Sequence, residues 1–105
     1  MTPFGLLPIG SLILSSLLVF FQQGNLSLEV GINRPAGDYR RFSMQQPNPR
    51  ECQESCRQDS RCRAFTYVRP GVQGYSAQCW LKDSIPNPIR DPNCVSGVKT
   101  NARSR

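Results

Sequence analysis

Apolar positions follow two different patterns along this chain. In residues 1–21 large aliphatic and aromatic side chains recur on every side, interrupted only by threonine, serines, prolines and glycines. A stretch with no polar face has nothing to turn toward water, so it seeks a membrane. Its apolar stretch is about 12 to 16 residues, which suits a secretory signal, whereas a spanning helix needs about 20. Residues 1–27 are therefore expected to be a signal peptide, with an uncleaved N-terminal membrane anchor as the alternative. Gly24 and Ser27 offer poor cleavage residues, and no Lys or Arg marks a basic leader. If the segment stayed, the arginines at 34, 40 and 41 would tend to hold the following domain in the cytoplasm, where disulfides do not persist. That conflict favours cleavage.

From residue 29 onward the pattern shortens and alternates. Residues 28–32 and 39–44 are weak strand candidates around a turn at 33–37. Asn48-Pro49-Arg50-Glu51 reads as a helix start, with Asn48 as N-cap, Pro49 at the first helical position and Glu51 closing a capping box. The helix is expected over residues 49–58. Residues 62–68, rich in β-branched and aromatic side chains, read as a strand that ends at the Arg69-Pro70-Gly71 turn. After a long polar loop at 70–78, the run Gln78-Cys79-Trp80-Leu81-Lys82 completes a hairpin, with Cys79 and Leu81 on one face and Trp80 and Lys82 on the other. Pro86, Pro88 and Pro92 predict an irregular surface loop over 83–93. A last short strand follows at 94–99, and residues 100–105 form a basic tail without a signal for order.

The 13 basic and 7 acidic residues all lie in residues 29–105. A soluble part of 77 residues is a single domain whose buried area barely offsets chain entropy, so covalent staples are expected. Five cysteines, at 52, 56, 62, 79 and 94, supply them, and an export segment makes disulfides their default state. Zinc is disfavoured: there is no C-x2-C pair, and the chain has no histidine. No metal or cofactor is implied. Cys52 and Cys56 lie one turn apart on the same helix face and need different partners. A short Cys56–Cys62 clasp with Cys52–Cys79 is one solution, and the swapped pairing is the main alternative.

These residues resemble a known family. The helix with its C-x3-C, the run Cys62-Arg63-Ala64-Phe65-Thr66-Tyr67, then Cys79-Trp80-Leu81-Lys82 and Ser96-Gly97-Val98-Lys99 look like a PAN/Apple domain. The type is the compact one of bacterial secreted proteins, and the likeness covers about residues 28–99. It implies an α+β, disulfide-stapled domain in which a curved antiparallel sheet has one helix packed across it. Carried over by position, it implies the pairs Cys52–Cys79 and Cys56–Cys62. The chain departs from the larger Apple pattern at Cys94, since no cysteine precedes Cys52 to bridge with it. Cys94 is then unpaired or intermolecular, and a Cys94-linked dimer is one expectation.

For function, the absence of histidine removes Ser-His-Asp and Cys-His catalysis, and Glu51 and Glu54 read as acids favoured in a first helical turn. The chain is expected not to be an enzyme. Eleven of the 13 cations are Arg, whose planar fork suits carboxylate, sulfate or phosphate, and the net charge is +6. The candidate ligand-binding residues are Arg57, Arg61, Arg63, Arg69, Tyr75 and Lys82. Arg63 and Arg69 would share a strand face with Phe65 and Tyr67, although those aromatics, like Trp80, fit core positions better. The expected role is a secreted, periplasmic or extracellular binding module for a protein or acidic carbohydrate, with a form still anchored by the N-terminal segment as the alternative. Nucleic acid is not an expected partner, since no dense basic block or aromatic ladder is present. The alternatives are an assembly protein crosslinked through Cys94 and a hydrolase inhibitor acting through the 70–78 loop.

Overall fold

The computed structural model describes residues 25–100. Most of the expected export segment at 1–27, and the tail after Thr100, lie outside the described residues. Among the described residues, no helix is long and apolar enough to cross a membrane.

Local chemistry sets the helix where the sequence places it. Helix α1 (Pro49–Gln58) begins at Asn48, whose side-chain oxygen accepts from the Arg50 N–H at 3.0 Å, with Pro49 directly after it. The expected capping box does not form. The Asn48 N–H donates to the Gln46 carbonyl at 2.8 Å, leaving Glu51 exposed in the first turn, where its charge still suits the helix dipole. Cys52, Gln53 and Cys56 form the buried face. Cys52 is bonded to Cys79 and Cys56 to Cys62, so both helix cysteines are tied to what the helix covers. Gln53 adds a polar tie, its amide donating to the Leu26 and Ser27 carbonyls at 3.1 and 3.2 Å.

The strands are β1 (Asn25–Leu26), β2 (Glu29–Asn33), β3 (Asp38–Met44), β4 (Ala64–Val68), β5 (Ala77–Lys82) and β6 (Ile89–Thr100). They form a curled sheet ordered β1-β6-β4-β5-β3, with β2 also on β6, and β2–β6, β6–β4, β4–β5 and β5–β3 pair antiparallel. In β4 and β5 the two-residue period sorts side chains cleanly. Phe65, Tyr67, Cys79 and Leu81 face α1 and form the core with Cys52, Cys56, Cys62, Met44 and Ala77. On the opposite face Thr66 sits between Trp80 and Ser96, and Lys82, two residues beyond Trp80, shares that face. Phe65 and Leu81 are fully buried, and each such side chain contributes about 2 kcal/mol of transfer free energy. Gly97 lies opposite Phe65 in the register, and a Cβ there would overlap the Phe65 ring and the Ser27 carbonyl.

The loop expected at 83–93 is overturned in its second half. Ile89 to Asn93 belong to β6, a strand of 12 residues in place of the short one at 94–99. Pro92 is tolerated because it falls in a bulge. Val30 pairs with Val95 and Ile32 with Arg90, so residues 91–94 bow out opposite Gly31 alone, whose φ is +79°. A proline at a bulge removes no ladder hydrogen bond.

Candidate functional site

The sheet face away from α1 is not flat. It holds a cleft of about 210 Å³, floored by Thr66 and Val68 of β4 and flanked by Trp80 and Lys82 of β5 and by Asp91 and Cys94 of β6. The bow in β6 makes one wall. Asn33, Pro35, Ala36 and Asp38, around the β2–β3 turn, close one end. That turn is anchored by Arg34, which holds Glu29 through two bonds of 2.9 Å and the Pro86 carbonyl at 2.7 Å. Val72 and Gln73 reach the rim from the β4–β5 loop.

The polar groups beneath the cleft are satisfied by one another. Thr66 and Ser96 share a hydrogen bond of 2.8 Å, and the Arg34 N–H donates to the Thr66 hydroxyl at 3.3 Å. Lys82, only 2% exposed, pairs with Asp38 and donates to the Ala36 carbonyl at 3.1 Å. Trp80 lines the cleft and also carries the Arg41 guanidinium 4.8 Å from its ring centre. Burial, reinforced by Asp91, pushes the Cys94 thiol up to about 11, which keeps it protonated and a poor nucleophile near neutrality. Among the described residues no group of three His, Cys, Asp or Glu side chains is gathered as a metal site.

The β4–β5 loop, residues 69–76, stands beside the cleft. Gly71 and Gly74 adopt φ of +87° and +126°, and the Gly71 N–H closes the turn on the Gly74 carbonyl at 2.9 Å. Only glycine takes such angles freely. Trp80 pins the loop, its indole N–H donating to Gln73 at 2.9 Å. Tyr75 is left 97% exposed and Val72 43% exposed.

The six binding candidates read from the sequence do not form one surface. Arg57 is held by Glu54 at 3.0 Å, and Arg61 reaches Asp83 at 3.1 Å while stacking 4.4 Å from the Tyr39 ring centre. Arg63 is exposed where β4 begins. Arg69 donates to Asn93 at 2.7 Å, bracing the loop against β6. Tyr75 is at the loop, as the sequence suggests. Lys82 requires correction: it is a buried, paired cation on the opposite face. The aromatic platform also fails, because Phe65 and Tyr67 lie in the core under α1. Trp80, which fits a core position by its sequence, is half-buried at the cleft instead. Cys94 is free but only 4% exposed, so a crosslink through it would require opening the sheet.

A second charged region gathers at the end of α1. Asp59 accepts from the Tyr39 hydroxyl at 2.7 Å, lies 3.7 Å from Arg40, and its carbonyl accepts from Lys99 at 3.0 Å. The Tyr39 hydrogen bond holds the Asp59 carboxyl below its ordinary value, helped by the neighbouring cations. Arg40 also stacks 5.0 Å from the Phe42 ring centre. Sequence reasoning missed Arg40 and Lys99 because 40 and 99 are distant in the chain and meet only through Asp59.

No curated protein and no solved structure matches this chain. A family model does: residues 32–82 match the PAN domain. That span holds α1, both disulfides and β3 to β5, and together with the curled antiparallel sheet the match supports a PAN/Apple-type domain in this chain.

Proposed function

We propose that this protein is an exported, non-catalytic binding module that takes a protein ligand on the sheet face opposite α1. PAN domains are generally binding modules for protein or carbohydrate. One observation favours protein for this chain. A tyrosine that is 97% exposed stands in a glycine-shaped loop beside an amphipathic cleft, on a domain whose other described aromatics are all buried or half-buried. An exposed aromatic beside a pocket is the usual form of an interface anchor, since Tyr offers a large area at low entropy cost. Export is supported by two disulfides, which persist in oxidising compartments, and by the apolar segment that precedes the domain.

A second reading, an acidic carbohydrate held at the α1 end, is favoured by Arg40, Arg61 and Lys99 around Asp59. The full chain passed over a panel of immobilised proteins and sulfated polysaccharides separates the two. Protein capture that weakens at least tenfold in Tyr75→Ala supports the first reading, as an anchor of about 2 kcal/mol would. Salt-sensitive retention on polysaccharide alone, lost in the Arg40→Ala, Arg61→Ala double variant and kept in Tyr75→Ala, supports the second.

A further inference from the structure

The charge of the cleft runs against the charge of the molecule. On a chain of net charge +6, the cleft is lined by two carboxylates, Asp38 and Asp91, against one ammonium, Lys82. Lys82 and Asp38 neutralise each other, and the Ala36 carbonyl takes a further Lys82 hydrogen bond. Asp91 is different. It accepts from the Asn93 N–H at 3.0 Å, lies beside the neutral Cys94 thiol, and makes no ion pair among the described residues. An unmatched carboxylate at a half-enclosed site attracts a cation more strongly than one in bulk water does.

The walls define the rest of the occupant. Val68 and Val72 give an apolar path, and Trp80 still presents surface to the cleft although Arg41, which does not line it, is already stacked on the ring. A group with an aliphatic stem and a cationic head satisfies all of these at once: stem on the valines, head at Asp91, with the indole beside it. The volume of about 210 Å³ accommodates one such side chain and little more. A free amine would leave Tyr75 uncovered on the adjoining loop, whereas a folded or extended polypeptide would cover both.

We propose that the cleft is a receptor for one basic side chain, lysine or arginine, of a protein ligand, with Asp91 as the charge that selects it. This rests on the protein-binding reading above, and it names what the ligand must place in the cleft. Arginines elsewhere on the surface then serve to repel basic partners that do not fit this site, which gives selectivity by unfavourable alternatives.

The chain has one tryptophan, so its fluorescence reports on the cleft directly. The full chain is titrated with Nα-acetyl-L-lysine methylamide, and with the norleucine analogue, which keeps the stem and lacks the charge. The expected result is a saturable change in Trp80 emission in the millimolar range for lysine and none for norleucine. In Asp91→Asn, whose amide oxygen still accepts from the Asn93 N–H, the lysine response weakens at least tenfold. Val72→Lys, at an exposed rim position, places a tethered cation at the site and also abolishes it. An absent lysine response, an equal response to norleucine, or full binding by both variants overturns the proposal. Failure of the lysine titration together with Tyr75-dependent protein capture removes the cleft assignment alone. A normal lysine response with no captured protein keeps the cleft assignment and removes the wider reading.

Discussion

Lys82 reads in the sequence as one more surface cation beside Arg63 and Arg69, and in the fold it is buried against Asp38. Nothing in the strand Gln78-Cys79-Trp80-Leu81-Lys82 distinguishes a snorkelling lysine from a paired one; only the register Asp38↔Lys82 does. A buried ammonium without a partner is costly, so Asp38 and the Ala36 carbonyl are what make the position tolerable. Asp59 presents the same lesson with the opposite charge. It reads as a residue after a helix end, and its partners come from two other segments, Tyr39 and Arg40 from β3 and Lys99 from β6. These groups set how stability depends on pH. Asp59 is held below its ordinary value in the fold, so its contribution is present above about pH 4 and is lost as pH falls through the lower, folded value. Cys94, raised to about 11, acts at the other limb: its contribution is complete below about pH 8.5 and is lost as pH rises through about 11. Tyr39 and Tyr67 are also raised and extend that loss, while Lys99, lowered by burial, opposes it. Urea midpoints measured against pH should therefore form a plateau between about pH 5 and 8 that falls on both sides. Asp59→Asn should flatten the acid limb, and Cys94→Ser should delay the alkaline fall. A midpoint that kept rising from pH 8 to 11 would contradict these assignments.

At the scale of elements, the chemistry of chain ends and periods was legible and the chemistry of bulges was not. Asn48, Pro49 and the same-face Cys52 and Cys56 mark α1, because caps and helical spacing act within four residues. The strand alternation around Phe65 and Leu81 likewise predicts which side faces the helix. Pro92 misleads, since the rule that proline breaks a ladder holds only where an N–H is needed, and the bow opposite Gly31 needs none. That single misreading hid Asp91 and one wall of the cleft. The two disulfides, both anchored on α1, differ in the loops they close, with sequence separations of 27 for Cys52–Cys79 and 6 for Cys56–Cys62. Chain entropy gives about 3.6 kcal/mol for the first and about 2.2 kcal/mol for the second. Paired replacement by serine, followed by denaturant unfolding, should thus destabilise the molecule more at Cys52 and Cys79 than at Cys56 and Cys62. Equal losses, or the reverse order, would mean that packing at the clasp outweighs loop closure.

Across the whole molecule, the sheet divides two chemistries. One face is covered by α1 and stitched by disulfides; the other carries a cleft whose buried polar groups all find partners among the described residues. The cations lie mainly outside that cleft, at the α1 end and along exposed edges, so net charge alone points to the wrong ligand for it. The central claim is that recognition happens on the face opposite α1. Amide hydrogen exchange of the full chain, free and with the protein most strongly captured from the panel, tests it most directly. Slowed exchange in residues 69–76 and 89–94, with α1 unchanged, is the predicted footprint. Slowing confined to α1 and the segments around Arg40 and Arg61 would contradict it.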